Sequence, residues 1–436
     1  MVLAHHYHNQ QVTLLIVLTR IISIFGKNVN REEAVTSLES GVFFVEKISN
    51  GALGNITRFA SAPTAAEQVP MSALLREKWK QKKEVDAAIK RSYKLSHNFG
   101  RVTRCSRAIK DGDSVRIVRS GSSGHAAYHN LLTCGNVWLC PVCRAKIQAR
   151  RGEEIAKAVD WAYGHGYKVI MITYTQPHHL GQPLAALIDG HCAAMRKFKA
   201  GRWYQGFKFA AGVIGSIRCA EVTYSAVNGW HWHSHELLIC DAHFNIMEWV
   251  PALKARWVAS CERAGLSVPD KGAMMSYGLD VMDNCHASDY LTKLGKNWGV
   301  DKEIAKSSRK KGAGCDPFAV LQLPNGDRLF AEYALATAGR AQLVWSRGLK
   351  AAVGVAEVSD EQLADSTDDI TDVIAEVSRK AWEHVLAEGA EAVLLHVATV
   401  GGYDAVQAWF EQRGLGAEVA RGSLFDVFGD TVFDAA

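Results

Sequence analysis

Three histidines alternate with other side chains in Gly229-Trp230-His231-Trp232-His233-Ser234-His235, and an apolar run follows them. Successive side chains of a β-strand point to opposite faces, so residues two apart lie on the same face at roughly 7 Å. The alternation therefore predicts a strand that carries all three imidazoles on one face. Three imidazoles in that arrangement are suited to hold a divalent metal.

A carboxylate from a neighbouring strand can complete this group. The β-branched segment 211–224 predicts a strand, and Asn228-Gly229 is the dipeptide that hairpin turns favour. Glu221 then lies on the strand paired with the histidines. We take His233 and His235 as the main metal ligands, with Glu221 as the added carboxylate and His231 as an auxiliary. Nitrogen and oxygen ligands with open positions suit Mg²⁺ or Mn²⁺ that must also accept phosphate oxygens.

A second metal-type pattern lies upstream, where Cys134, Cys140 and Cys143 fall within ten residues around a Cys-Pro-x-Cys knuckle. Structural zinc takes four tetrahedral ligands, preferably thiolates, and Cys105 is the best fourth ligand, with His129 as its substitute. A redox-active cysteine pair is the main alternative. Basic residues follow the knuckle directly and predict a zinc-folded module that docks on DNA; they are Arg144, Lys146, Arg150 and Arg151.

The cysteines also indicate a compartment. Six of the ten are scattered singly, which favours a reducing environment over a disulfide framework, and we expect a cytoplasmic protein. The apolar segment 12–25 is interrupted by Arg20 and is shorter than the ~20 residues that span a bilayer, so we expect no membrane association.

Tyr290 and Lys293 are spaced three residues apart, which places them on one face of a predicted helix. A tyrosine has a pKa near 10, so its attack on phosphorus at neutral pH needs help. A nearby metal and Lys293 can stabilise the phenolate and the charge that develops on phosphorus. We therefore take Tyr290 as a candidate nucleophile and Lys293 as its supporting cation.

Charge is distributed unevenly along the 436 residues. Residues 356–436 contain 17 acidic against 4 basic side chains, a net charge of −13, and the first 355 residues carry a net charge of +18. The larger, basic part has the electrostatic character of a nucleic-acid binder. The acidic part predicts a separate C-terminal unit, for which self-association into a homo-oligomer is one hypothesis.

The pattern of elements predicts an α+β fold, an antiparallel sheet backed by helices. Within the acidic unit we expect helices over 368–388 and 403–413 and a strand-like run over 391–399; we also expect a strand near 274–281. Predicted regions are an undefined segment (1–72), a basic zinc-knuckle module (73–151), a nuclease-type domain (152–315), an extension (316–355) and the acidic domain (356–436).

Four of these segments, in this order, resemble the plasmid rolling-circle replication initiators, HUH single-strand endonucleases with a cysteine knuckle before the nuclease core. The resemblance runs from about Cys105 to Trp298. Its segments are the knuckle, the strand 169–175, Glu221-Val222-Thr223 with the histidine strand, and Ala287-Ser288-Asp289-Tyr290-Leu291-Thr292-Lys293.

The resemblance implies a ferredoxin-like sheet with the histidine strand in the centre. It implies that a metal at His233 and His235 polarises a scissile phosphate of plasmid origin DNA, single-stranded or in a hairpin. Tyr290 then attacks, leaving a 5′-phosphotyrosyl link and a free 3′-OH for a polymerase. A host helicase and a single-strand-binding protein are implied as further partners.

Two positions depart from the family pattern. Trp232 stands where the family usually has proline between its first two histidines, and His286 stands where some members carry a glutamate one turn before the tyrosine. The residue that would activate water at termination is therefore open between His286 and Asp289.

Two other functions fit the same residues. One is an HUH transposase or mobilisation relaxase, with the same chemistry on different DNA. The other is a non-catalytic, zinc-containing DNA-binding regulator whose histidines bind metal only structurally.

Overall fold

The computed structural model describes residues 71–121, 123–286, 314–366, 370–424 and 427, all within one compact unit, Ala65–Ala436. The predicted Tyr290 helix and nearly all of the segment 1–72 lie outside the described residues.

Helices of the described residues fall before, between and after the strands. The α-helices are α1 (Met71–Arg91), α2 (Tyr93–Arg104), α3 (Pro141–Gly164), α4 (Leu184–Lys199), α5 (Gly201–Ala210), α6 (Val250–Arg263), α7 (Lys271–Tyr277), α8 (Gly326–Thr337), α9 (Leu349–Val353), α10 (Asp360–Asp365), α11 (Arg379–Glu388) and α12 (Glu391–Glu411). Short 3₁₀ turns occupy Ile246–Glu248, Ala319–Gln322 and Gly416–Glu418.

The strands fall into two antiparallel sheets. They are β1 (Ser114–Ser120), β2 (Ala126–His129), β3 (Tyr167–Thr175), β4 (Gly215–Ser225), β5 (Gly229–Asp241), β6 (Leu279–Met282), β7 (Leu343–Trp345), β8 (Ile370–Ser378) and β9 (Val419–Ala420). The chain thus mixes helices with antiparallel sheets, as the sequence predicts.

One sheet, here called the histidine sheet, has the order β6-β3-β5-β4-β7 with the histidine strand β5 in its middle. β4 and β5 form a hairpin whose pairs run from Gly215 opposite Ile239 to Ser225 opposite Gly229. Gly229 has a φ of 75°, a left-handed conformation that glycine adopts without strain, so the chain turns at the predicted Asn-Gly position. The predicted histidine strand and its hairpin partner are confirmed.

The other sheet, here called the composite sheet, has the order β2-β1-β8-β9. β1 comes from the region predicted as the zinc-knuckle module and β8 from the predicted acidic domain, yet they pair along most of their length. Apolar side chains that β1 buries, such as Val115 and Ile117, share a core with Ala375 and Val377 of β8. The composite sheet therefore combines strands from both sides of the boundary expected at 356.

Opposite charges join the same two regions. Lys110 contacts Asp365 at 2.7 Å, and Arg151 contacts Asp360 at 3.0 Å. The acidic C-terminal residues thus neutralise part of the basic region next to which they pack.

Some predicted elements differ in type. Residues 370–378 form strand β8 where a helix was predicted, and 391–399 begin helix α12 where a strand-like run was predicted. The segment 271–277 is helix α7, so the strand expected near 274–281 is only β6.

Helix α3 connects the cysteine region to the histidine sheet. Its 24 residues extend over about 36 Å at 1.5 Å per residue. Cys143 and Ile147 near its start belong to the core that includes the composite sheet, and Ile155 and Ala158 pack under β3, β4 and β5. This one helix therefore packs into both cores, with the cysteine region at its start and the histidine sheet further along.

No single described helix is long and apolar enough to cross a membrane; α11 and α12 pass that test only as a pair, bent by 114°.

Candidate functional site

The hairpin register places a carboxylate directly beside the histidines. On one side of β5, Glu221 of β4 lies opposite His233, and on the other side Thr173 of β3 lies opposite His235. Residues opposite each other in paired strands point to the same face of a sheet. The central position of β5 therefore brings side chains from three strands to one place.

Glu221, His233 and His235 form a compact group. The Oε2 atom of Glu221 lies 2.6 Å from Nε2 of His233 and 3.2 Å from Nε2 of His235. Glu221 and His235 are buried and the His233 side chain is 13% exposed. Their candidate ligand atoms all lie within 4.8 Å of one another, so the three residues can hold one metal ion.

The chemistry of these atoms fits a divalent cation. Adjacent ligands of an octahedral ion with bonds of 2.1 Å are about 3.0 Å apart, close to the two measured separations. Oε1 of Glu221 is buried and has no hydrogen-bond partner among the described residues. An unsatisfied buried carboxylate oxygen is costly, and coordination to a cation would satisfy it.

The ionisation of Glu221 suits this role as well. Burial by itself raises the pKa of this carboxyl, but hydrogen bonds and charges from His233 and His235 outweigh burial and lower the pKa to about 2. The group is therefore a carboxylate at neutral pH, the form that binds a metal.

Thr173 orients His235, a role that the sequence did not reveal. Its Oγ1 atom lies 2.9 Å from Nδ1 of His235. For Nε2 to offer its lone pair to a metal, the proton of the neutral ring must sit on Nδ1, which then donates to Thr173. The only available signal was the position of Thr173 on the strand 169–175, without the register that pairs it with β5.

His231 lies beside this group without joining it. Its ring is 4.8 Å from the His233 ring and stacks on His178 at 4.6 Å, with 7° between the planes. Burial, followed by the charges of His233 and His178, lowers the pKa of His231 to about 3, so it is neutral at pH 7. The sequence had placed His231 as an auxiliary ligand and had not placed His178 here at all.

The four predicted cysteines converge into a second group. Cys105 Sγ lies 3.3 Å from Cys143 Sγ and 3.6 Å from Cys140 Sγ, and Cys134 Sγ lies 3.7 Å from Cys143 Sγ. Sulfurs on a tetrahedral zinc with bonds of 2.3 Å are about 3.8 Å apart, so these four could bind one such ion. All four are buried free thiols, and His129 does not belong to the group.

The predicted DNA-binding side chains differ in what they contact. Arg144 pairs with Asp316 at 2.9 Å and is 13% exposed, and Arg151 is 11% exposed and pairs with Glu154 and Asp360. Lys146 is exposed and donates to a backbone carbonyl, and Arg150 pairs with Glu153 at 3.2 Å. Arg144 and Arg151 are thus largely committed to contacts within the fold.

Tyr290, Lys293 and Asp289 lie outside the described residues. The chain on both sides of 287–313 belongs to the histidine sheet: the Cys285 N–H donates to Val169 of β3, and Cys315 forms a bridge with Tyr224 of β4. His286, the residue considered for termination, is exposed and its ring stacks on Tyr163 at 5.0 Å.

Comparison with known proteins gives two similarities, both in Streptomyces. The chain is 25% identical over 317 residues to "Protein rep" of Streptomyces lividans, which covers 56% of this chain and 69% of that protein. It is 30% identical over 154 residues to "Neomycin resistance protein" of Streptomyces cyanogenus, and this match covers 30% of this chain and 35% of that protein. No family model and no solved structure matches the chain.

Proposed function

We propose that this protein is a plasmid rolling-circle replication initiator of the HUH type. In this proposal it binds origin DNA, nicks one strand by metal-assisted attack of Tyr290, and rejoins strands at termination. The observation that carries the proposal is the buried group of Glu221, His233 and His235, whose separations and unsatisfied oxygen fit a divalent cation. The similarity to "Protein rep" supports a role in replication.

The reaction divides among a few residues. Glu221, His233 and His235 would hold Mg²⁺ or Mn²⁺, which when bound polarises the scissile phosphate. The Tyr290 oxygen forms a bond to phosphorus, the bond from phosphorus to the 3′ oxygen breaks, and a 5′-phosphotyrosyl ester remains. The phenol proton passes through solvent to the leaving 3′ oxygen, and Lys293 stabilises the negative charge that develops on the way.

Burial contributes to this chemistry. Thr173 fixes the ring of His235, and the neutral ring of His231 adds no charge to the site. A dry, preorganised site strengthens the interaction of its charges with a phosphate, because little reorganisation accompanies the reaction. The ester conserves the energy of the broken bond, so the same site can rejoin strands.

The remaining parts take supporting roles. The four cysteines would bind structural zinc at the start of α3, and the basic region 73–151 would grip duplex DNA through phosphates. The histidine sheet would be the ferredoxin-like core of the nuclease. We propose a cytoplasmic protein that works with a host helicase, a polymerase and a single-strand-binding protein.

A covalent-adduct assay tests the proposal. Purified protein is incubated with Mn²⁺ and labelled single-stranded oligonucleotides that tile the DNA flanking the gene, and adducts are separated by denaturing electrophoresis. We expect an adduct with one oligonucleotide, its loss in Tyr290→Phe, and its retention in Tyr277→Phe, which removes the hydroxyl of a tyrosine that is 80% exposed.

Each alternative function has its own outcome. DNA binding without any adduct would favour the zinc-containing regulator, and an adduct that persists in Tyr290→Phe would refute the nucleophile assignment. A relaxase or transposase would give the adduct yet fail to replicate an origin plasmid that carries this gene alone.

A further inference from the structure

A cavity of about 500 Å³ lies between helix α4 and the β4–β7 side of the histidine sheet. Side chains alternate along β4, so Ser216 and Arg218 point away from the face that carries Glu221. The cavity is therefore on the face of the sheet opposite the metal group. Nothing in the proposed chemistry uses it.

The cavity is lined by more cations than anions. Arg196, Lys199 and Arg218 contribute positive charge, and Glu236 is the acidic lining residue. Both oxygens of Glu236 are already engaged: Lys199 contacts Oε1 at 2.5 Å, and the Tyr174 hydroxyl donates to Oε2 at 3.3 Å. Glu236 is 1% exposed, so this neutralised pair forms a polar floor for the cavity.

Among the described residues, Arg218 has no hydrogen-bonding or ion-pair partner. Arg218 is half-buried in the wall of the cavity. A guanidinium presents a fork of N–H donors that matches a phosphate in two parallel hydrogen bonds. Glu236 lies opposite Arg218 on β5, but its two oxygens are already engaged by Lys199 and Tyr174. A partly desolvated guanidinium in that position is suited to an anionic ligand.

Hydroxyl groups on the cavity wall add donors. Ser346 Oγ accepts from the Ser216 backbone N–H at 2.8 Å, which leaves its hydroxyl proton to donate to a ligand. Val344, 39% exposed, offers an apolar surface next to these polar groups. Cations, hydroxyls and an apolar surface together fit the phosphate and the adjoining base of a nucleotide unit.

We propose that this cavity binds a phosphate of single-stranded DNA, on the face of the sheet opposite the metal group. The inference rests on the proposed function for the identity of the ligand. The DNA strand that is nicked at the metal centre would continue around the edge of the sheet at β7. Arg218 would hold the backbone of this DNA strand. The net charge of +18 in the first 355 residues favours a nucleic acid as the source of the phosphate.

The test compares Arg218→Gln with Arg421→Gln. Arg421 is an exposed residue of the acidic C-terminal region and does not line the cavity, so its variant removes the same charge elsewhere. Affinity for a labelled single-stranded oligonucleotide is measured by fluorescence anisotropy over a range of salt concentrations. We expect Arg218→Gln to bind about 5- to 10-fold more weakly, with a salt slope smaller by about 0.7, the value for one phosphate of a single strand.

Several results would overturn the inference. Equal losses in both variants would show a general effect of charge, and unchanged affinity in Arg218→Gln would exclude the contact. Both variants must unfold thermally at the same temperature as the wild type. A loss of thymidine monophosphate binding in Arg218→Gln with unchanged oligonucleotide binding would assign the cavity to free nucleotides.

The assay is independent of nicking. If wild-type protein forms no adduct yet Arg218→Gln weakens DNA binding as expected, the proposed nicking fails and the cavity assignment stands. If the adduct forms and Arg218→Gln binds DNA like wild type, the proposed nicking stands and the cavity assignment fails.

Discussion

Replacing Thr173 by valine tests whether the histidine group is a metal site organised by its neighbours. Valine keeps the β-branched shape of threonine and removes the hydroxyl that lies 2.9 Å from Nδ1 of His235. The His235 ring then loses a contact that holds it in the orientation in which Nε2 faces Glu221. The ligands themselves remain.

The expected loss follows from this single contact. Removing a hydrogen bond that orients a metal-binding histidine typically lowers metal affinity 10- to 100-fold, which is about 1.4 to 2.8 kcal/mol. Global stability should change by about 1 kcal/mol or less, because a net hydrogen bond contributes about that much and valine buries an added methyl. Thr173→Val should therefore lose metal affinity with little change in global stability.

Isothermal titration of Mn²⁺ at pH 7.5 measures the effect. Thr175→Val is the matched control, since Thr175 lies on the same strand opposite His233 and its hydroxyl has no hydrogen bond among the described residues. We expect near wild-type affinity in the control and none in Glu221→Gln. Affinity within twofold of wild type in Thr173→Val, or an equal loss in Thr175→Val, would refute the reasoning.

Three further predictions concern the rest of the fold. If the four cysteines hold zinc as proposed, Cys143→Ser should lose it, measured by elemental mass spectrometry. Cys192→Ser, whose thiol is outside the cluster, should retain it. Zinc retained in both variants would contradict the four-cysteine site. Burial, followed by the positive charge of Arg218, lowers the pKa of His191 from 6.5 to about 3. The unfolded chain therefore binds a proton near pH 6.5 and the folded protein does not, so the free energy of unfolding falls as pH drops. In urea unfolding between pH 7.5 and 5.5, the wild type should lose about 1.4 kcal/mol more stability than His191→Gln. Equal losses would be inconsistent with a buried neutral ring. Removing residues 356–436 should abolish cooperative thermal unfolding, because β1 loses its partner β8; a soluble, zinc-bearing fragment with a sharp transition would argue for an independent acidic domain.

The sequence predicted the parts of the site that depend on local rules. A period of two residues along a strand put His233 and His235 on one face, and a hairpin turn put Glu221 opposite them. Thr173 was missed because it reaches the site through the long-range pairing of β3 with β5, whose register no local pattern determines. His178 was missed because it lies in the loop after β3 and reaches the site only by stacking on His231. Arg144 was predicted as a DNA contact because it follows the cysteine knuckle directly; its ion pair with Asp316, which is remote in sequence, had no local signal.

The same limit explains the errors in element type. Residues 370–378 are rich in the β-branched side chains Ile, Thr and Val, which favour a strand, and their apolar positions are buried against β1. The acidic residues around this segment had favoured a helix in the sequence. The run 391–399 is apolar enough for a buried strand but packs as helix α12 in the core. Short apolar runs do not distinguish the two structures.

The pairing of β1 with β8 also determines when the composite sheet can be completed during synthesis of the chain. Ser114 and its hydrogen-bond partner Glu376 are 262 residues apart in the chain. At 5 to 20 residues per second, a ribosome needs about 13 to 50 seconds to travel from one to the other. Until then the composite sheet lacks its central pairing, and the cysteine region packed beside it has no completed core. The proposed nuclease would thus reach its complete fold only after the residues around Glu376 have been synthesised.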